Sequence, residues 1–342
     1  MDKLKCPICD TEVEERNFKE TYVSPYNNQE YKRYECPNCD VHWWEPLKII
    51  PEFYENEVFE GYIARHEGVV TRLGVNHRAF FKHFPSNVRG RLLDVGCGDG
   101  RFLRYAKEQG FEVWGIDFDK KSVESAKRNL GTDTVFAMSL EEFYEYAKEK
   151  NLKFDVITFF EVLEHQDKPR EFLEMVKGLL KEGGYIAGSV PNRESIFQKE
   201  LNQKIYFWVD NPPHHFLRFS KSSLEKALIF SGFKEVEVYK LDFPFIELFL
   251  YLEKKLFGDL DKLKIKLKGM VLGNERKARV YSVEELAKVS SSKGKAYILI
   301  ILMMLKYLKN AMLLPFALGY AGRLKGNGIN LYFQAKIKKL SS

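Results

Sequence analysis

The chain has 342 residues, 45% of them apolar and 30% charged, a balance that excludes a disordered or collagen-like chain and allows about two domains with a sizeable core. Its net charge of +6 conceals a split: residues 1–250 hold 35 Lys/Arg against 42 Asp/Glu, residues 251–342 hold 19 against 6, and no acid occurs from Ala287 to Ser342. Such asymmetry predicts an anionic partner for the C-terminal part, either a membrane surface or nucleic acid.

The opening Met1-Asp2-Lys3-Leu4-Lys5-Cys6 has no apolar run of signal-peptide length, so a cytoplasmic location is predicted. Thiols stay reduced there, and cysteine pairs read as metal ligands before disulfides. Residues 1–50 contain Cys6-Pro7-Ile8-Cys9 and Cys36-Pro37-Asn38-Cys39, two knuckles separated by 26 residues. That spacing predicts a four-thiolate zinc ribbon holding structural Zn²⁺, with Cys6, Cys9, Cys36 and Cys39 as ligands. The plain alternative is four unconnected thiols. Residues 51–90 are rich in aromatics and predict a helical connector.

From Arg91 the pattern becomes regular. Strands are predicted at Arg91–Val95, Glu112–Asp117, Thr134–Ala137, Phe154–Phe160 and Tyr185–Val190. Helices are predicted between and after them at Arg101–Glu108, Lys120–Leu130, Leu140–Lys150 and Pro169–Leu180. Strands alternating with helices in this way make an α/β domain over 91–242, with a parallel sheet covered on both faces. Ser220–Phe230 follows as a helix ended by Ser231-Gly232, then Glu235–Leu241 as a strand. Residues 243–328 break the rhythm as a basic, apolar, helical insert before Ile329–Lys338, a last strand within 329–342.

In Leu92-Leu93-Asp94-Val95-Gly96-Cys97-Gly98-Asp99-Gly100 an apolar run leads to an acid and three alternating glycines, then a helix. Glycine lets the backbone turn sharply and approach a ligand, and the helix start offers unpaired amides. Asp117 ends the next strand, 17 residues beyond Gly100, where a carboxylate can hold both ribose hydroxyls. The bland alternative is a strand–turn–helix that binds nothing.

The GxGxG spacing after an acid resembles motif I of class I S-adenosylmethionine-dependent methyltransferases. Phe154–His165 resembles that family's fourth strand and following loop, and Lys181-Glu182-Gly183-Gly184-Tyr185 the turn before its fifth strand. The resemblance implies a Rossmann-like, seven-stranded, mostly parallel sheet with the last strand antiparallel. It also implies S-adenosyl-L-methionine as cofactor, in a pocket drawn from Asp94, Gly96, Cys97, Gly98, Gly100, Asp117, Phe118, Ser139 and Phe160. Asp117 would hold the ribose, and Phe118 would lie on the adenine. The acid that relatives often place after the third strand is replaced here by Met138-Ser139.

Glu161-Val162-Leu163-Glu164-His165 resembles the Glu-x-x-Glu-His loop of quinone-pathway O-methyltransferases, which is associated with a divalent metal. Two carboxylates and an imidazole are a set that Mg²⁺ could use, although Mg²⁺ prefers oxygen ligands. Alternatively, Glu161 lines the cleft while Glu164 and His165 close a turn. In Asn211-Pro212-Pro213-His214-His215-Phe216-Leu217-Arg218-Phe219-Ser220 the phrase around the paired histidines resembles methyltransferases of bacterial surface glycans and quinones. His214 is the first candidate for a general base, with His165 and Glu161 as competitors.

Within Ala296–Gly322 the wholly apolar stretch Tyr297–Leu305 is too short to span a bilayer, which takes about twenty residues. Apolar faces beside Lys306 and Lys309 suit a helix lying in a membrane surface over 287–325, with Pro315 predicted to kink or divide it. A buried helical cap is the alternative. The predicted activity is O-methylation of a sugar, glycan or lipid-linked small molecule. Quinone-precursor O-methylation, RNA methylation and a non-catalytic cofactor-binding scaffold are the rivals. Nucleic acid is disfavoured because the basic region lacks interleaved aromatics.

Overall fold

The computed structural model describes residues 4–50, 73–195, 210–242, 248–249, 252–253, 256, 266, 268 and 293–337. The first part of the predicted connector, 51–72, and most of the insert lie outside these residues.

The N-terminal part is a small sheet on two thiol knuckles. Strands β1 (Phe18–Val23), β2 (Glu30–Glu35) and β3 (His42–Glu45) pair antiparallel. The knuckles are built alike. Cys6 N–H donates to the Thr11 carbonyl and Cys36 N–H to that of Val41, and Asp10 and Asp40 both take left-handed backbone at φ 62° and 61°. These turns aim the four sulfurs at one another. Trp43, Trp44 and Tyr31 are buried behind the knuckles.

Helix α1 (Val75–His83) leads into the α/β domain and buries Phe80 against Phe102. There follow β4 (Gly90–Val95), α2 (Arg101–Glu108), β5 (Phe111–Asp117), α3 (Lys120–Leu130), β6 (Val135–Ala137) and α4 (Leu140–Glu149). Then come β7 (Phe154–Phe160), α5 (Pro169–Leu179) and β8 (Leu180–Pro191). The sheet order is β10-β11-β8-β7-β4-β5-β6, where β10 is Phe233–Lys240 and β11 is Asn330–Ile337. β4, β5, β6, β7 and β8 run parallel, and β11 pairs antiparallel with both β8 and β10. This is the seven-stranded, mostly parallel arrangement that the resemblance implied. The central strands read as apolar runs because both faces are covered: Leu92, Leu93, Val156, Ile157, Phe159 and Ile186 are all fully buried.

Local signals set the element ends. Asp119 caps α3 by accepting from the Lys121 and Ser122 amides, and Gly131 closes it at φ 58°. Ser139 and Ser220 cap α4 and α6 (Lys221–Phe230).

Two features differ from the sequence expectations. First, the ribbon sheet has a fourth strand, β9 (Leu217–Arg218), contributed by the α/β domain and paired antiparallel to β3. Second, Lys293–Leu324 forms one continuous helix, α7, with Pro315 inside it, so of the two expected outcomes, a kink or a division, the division does not occur. No helix among the described residues is long and apolar enough to cross a membrane.

Candidate active site

The glycine turn after β4 is stitched to the tip of β5. The Gly96 and Cys97 amides donate to the Ile116 carbonyl at 2.8 and 3.0 Å, and the Gly98 amide donates to Asp117 Oδ2 at 2.9 Å. Gly96 sits at φ 76°, and a Cβ there would lie 2.8 Å from Val162 Cγ2, so both the turn and the loop above it require glycine. Gly100, at φ 74°, starts α2 without a side-chain cap of its own, and Asp99 Oδ1 accepts the Arg101 amide at 3.3 Å.

Asp94 is buried and accepts a 2.7 Å hydrogen bond from Thr158 Oγ1 on the adjacent strand. Asp117 is also buried, and its second oxygen accepts the Asp119 amide at 3.0 Å. Beside it Phe118 is 51% exposed, an aromatic face at the edge of a buried carboxylate. Phe160 packs edge-on to Phe102, with ring centroids 4.7 Å apart. A carboxylate at the second strand tip, amides at a helix start and an exposed ring suit an adenosyl group.

Two of the predicted cofactor residues also serve the fold. Ser139 Oγ accepts the Glu142 amide at 3.2 Å as the cap of α4. Burial, reinforced by Asp117, Asp94 and Asp99, pushes the pKa of the Cys97 thiol well above its usual range, and the side chain packs in the core.

Two further loops, after β7 and before β9, carry the remaining candidate residues. Glu161 follows β7 at φ 54°, an uncommon backbone for a residue with a side chain, and accepts a 2.7 Å bond from Ser189 Oγ. Burial raises its pKa above the usual carboxylate range, partly offset by Ser189 and His215. Glu164 is fully buried, neither of its oxygens has a hydrogen-bond partner among the described residues, and burial pushes its pKa well up.

The structure brings His165, His214 and His215 together: ring centroids lie 4.8 Å apart from His165 to each of the others, and 4.2 Å between His214 and His215. Sequence reasoning singled out His214 and His165 but passed over His215 and Asp210. His215 Nδ1 lies 3.1 Å from Asp210 Oδ1, and Arg218 Nη2 lies 3.0 Å from Asp210 Oδ2. An acid five residues before the second histidine was the available signal.

The four sulfurs Cys6, Cys9, Cys36 and Cys39 converge within 4.8 Å, with Cys6–Cys39 at 3.5 Å and Cys9–Cys36 at 3.4 Å. A bond from Cys39 draws the Cys6 thiol down to about 6, while burial pushes Cys36 up to about 11. Four thiols this close can all ionise only around a cation, and the set fits tetrahedral zinc. Glu161 accepts from Ser189, Glu164 Oε1 lies 3.8 Å from His165 Nε2, and the ring nitrogens of His165, His214 and His215 converge within 4.8 Å.

The ribbon reaches these loops through the backbone. Trp44 N–H donates to the Phe216 carbonyl at 3.0 Å, and Phe216 N–H donates to the Glu164 carbonyl at 2.9 Å. Arg193 binds Asp40, whose carboxylate also accepts from Ser220 Oγ at 3.3 Å.

A family model described as "Methyltransferase domain" matches residues 70–238. Among curated proteins, the ubiquinone biosynthesis O-methyltransferase of Nitrosospira multiformis is 31% identical over 156 residues, covering 44% of this chain and 56% of that one. The enzyme of the same name from Vibrio vulnificus is 33% identical over 104 residues, 30% of this chain and 44% of its own. The chain thus spans about half the length of the curated relatives it matches. Among solved structures, an S-adenosylmethionine-dependent methyltransferase from Archaeoglobus fulgidus is 21% identical with a TM-score of 0.43, covering 84% of this chain and all of that one. A Haemonchus contortus phosphoethanolamine N-methyltransferase 2 is 16% identical with a TM-score of 0.49, covering 87% of this chain and 62% of that one.

Proposed function

We propose that this chain, whose residues 70–238 belong to the methyltransferase-domain family, transfers a methyl group from S-adenosylmethionine to a hydroxyl oxygen of a small-molecule acceptor. The observation that carries the reading is the Gly98–Asp117 stitch: a glycine turn folded onto a buried carboxylate at the second strand tip. S-adenosylmethionine, when bound, supplies an electrophilic methyl carbon on a sulfonium. The chain's own part is to hold it and to bring an acceptor oxygen into line.

Asp117 holds the ribose hydroxyls and Phe118 stacks on the adenine. Asp94, Gly96, Gly98 and Gly100 shape the turn. The acceptor enters on the side of Glu161, His165 and His214. Of these three candidate bases, Glu161 is best prepared for taking a proton. Its left-handed backbone aims it off the tip of β7, Ser189 orients it, and its raised pKa brings it nearer neutrality. His214, the first candidate by sequence, then lines the acceptor.

The acceptor class we favour is a sugar, glycan or lipid-linked molecule at a membrane surface. Support comes from α7, where Met304, Leu305, Tyr307, Leu308, Met312, Leu314, Phe316 and Leu318 are all exposed in a stretch without acids. The second reading, a quinone precursor, is favoured by the names of the aligned relatives.

Calorimetry and turnover with labelled cofactor test this together. Glu161→Gln should leave cofactor binding intact and lower kcat by about 10²–10⁴-fold. Unchanged kcat in Glu161→Gln with loss in His214→Ala would return the base role to His214. Failure of the wild-type chain to bind S-adenosylmethionine would end the enzymatic reading. Turnover on quinone precursors but on no glycan would decide for the second acceptor, and absence of binding to anionic vesicles would remove the membrane from the account.

A further inference from the structure

We propose that His165, His214 and His215 form a second metal site, separate from the four-cysteine ribbon, that takes a borderline divalent cation such as zinc. The three side chains each bring a ring nitrogen within 4.8 Å of the others. An adventitious huddle of histidines would have no reason to share a nitrogen orientation, yet two of these are oriented alike. His165 Nδ1–H donates to the His214 carbonyl, and His215 Nδ1–H points at Asp210 Oδ1, 3.1 Å away. Asp210 is in turn held by Arg218. Each arrangement puts the lone pair on Nε2, which is how metal-ligating histidines are usually held from behind.

Glu164 is the independent observation. It is fully buried with neither oxygen hydrogen-bonded among the described residues, and Oε1 lies 3.8 Å from His165 Nε2. Buried carboxyls are otherwise hydrogen-bonded, so two unpartnered oxygens beside His165 leave donor capacity that a cation held by the imidazoles would face. A zinc ion with ligands at about 2.0–2.1 Å asks the rings to close by roughly an ångström, within reach of loop side chains.

The donor chemistry separates this site from the magnesium site that the Glu-x-x-Glu-His resemblance implies. Imidazole suits zinc, nickel or cobalt, whereas magnesium asks for oxygens. Glu161 is turned to Ser189, and two of the three ligands come from the loop before β9, not from the Glu-x-x-Glu-His segment. Three protein ligands leave a position open, as in catalytic zinc sites.

The site does not depend on the methyltransferase reading, and its test counts metal. The full chain is loaded with zinc, dialysed exhaustively and analysed by plasma mass spectrometry. We expect two equivalents in the wild type and one in His165→Gln, His214→Ala and His215→Gln. Cobalt loading serves as the fold control: the sulfur-to-cobalt bands of the ribbon persist in all three variants, while the weaker nitrogen-ligand band is lost. Asp210→Asn should weaken the second equivalent by about 10–100-fold. One equivalent in the wild type overturns the proposal. So does a second equivalent lost in Glu161→Gln but kept in His214→Ala and His215→Gln, which would hand the cation to the Glu-x-x-Glu-His set.

Discussion

The two parts of the proposed site, a wall assigned to the cofactor and a wall assigned to the acceptor, are built on opposite principles. The cofactor wall is local: Asp94, the glycine turn and Asp117 lie within one β-α-β unit, tied by backbone amides to neighbouring strands. The acceptor wall is assembled from afar. Glu164, Phe216 and Trp44 are joined by consecutive backbone bonds across more than a hundred residues of chain, and β9 belongs to the ribbon's sheet. A wall made locally tolerates damage elsewhere, and one made by docking inherits every weakness of the module it docks on.

The sharpest way to break this contrast is Cys36→Ser. Structural zinc contributes about 10–16 kcal/mol to folding of small cysteine modules, so the ribbon should unfold and β9 should lose its partner. Displacing the acceptor loop by even an ångström should cost about 100-fold or more in turnover. Cofactor affinity, set by the glycine turn and Asp117, should change far less than turnover. Hydrogen exchange reads both: the Trp44 and Phe216 amides should lose protection while those of Gly96 and Gly98 keep theirs. Equal loss on both walls would show that they are one cooperative unit.

Next in size is Asp117→Ala, aimed at the local wall. Removing a charged acceptor of the Gly98 and Asp119 amides should cost about 1.5–3 kcal/mol, or about 10–150-fold in cofactor Kd by calorimetry. The metal content of the ribbon should not move; a loss there would contradict the independence of the two walls. Thr158→Val is a milder probe of the same wall. It takes from buried Asp94 its 2.7 Å hydroxyl donor and should lower unfolding stability by about 1–3 kcal/mol, checked by denaturant titration.

The difference between the walls is also why one was legible in the sequence and the other only in part. Arg101–Glu108, Lys120–Leu130 and Phe154–Phe160 have the bounds that periodicity predicts, because caps such as Asp119 and Gly131 act within one turn. The glycine turn and Asp117 are likewise a short-range signal. The pairing of Trp43 with Leu217 is not: two residues of strand carry no period, and nothing in residues 1–50 says which edge will receive them. The cluster of three imidazoles escaped for the same reason, since His165 stands 49 residues from His214. Of the two outcomes that a proline's clash with the preceding turn allows, a kink or a division, Pro315 does not give the division: the helix runs through it.

The smallest expected effect concerns pH, and it falls on the docked wall alone. His42 lies on β3, opposite Arg218 of β9. Burial, then Arg193, Arg33, Arg218 and Lys19, hold its pKa down to about 2. Glu35 and Asp40, 3.6 and 3.9 Å from Nε2, pull the other way but do not prevail. Arg33 Nη1 also donates to Nδ1 at 2.6 Å, a bond only the neutral ring can accept. When the chain unfolds, His42 titrates near 6.5. Below that value the unfolded chain therefore binds a proton that the folded one refuses. Stability from this source is complete above pH 6.5 and is lost as pH falls toward 2. At a pH one unit below the unfolded pKa the loss is about 1.4 kcal/mol. Knuckle thiolates also take up protons in acid, so the comparison must be with His42→Gln, which keeps an acceptor for Arg33 and removes the titration. Denaturant titrations at pH 7.5 and pH 5.5 should show the wild type losing about 1.4 kcal/mol more than the variant. Parallel losses would mean that His42 protonates in place, taken over by Glu35 and Asp40. The ribbon–loop seam would then be held by an ion pair and not by a neutral imidazole among arginines.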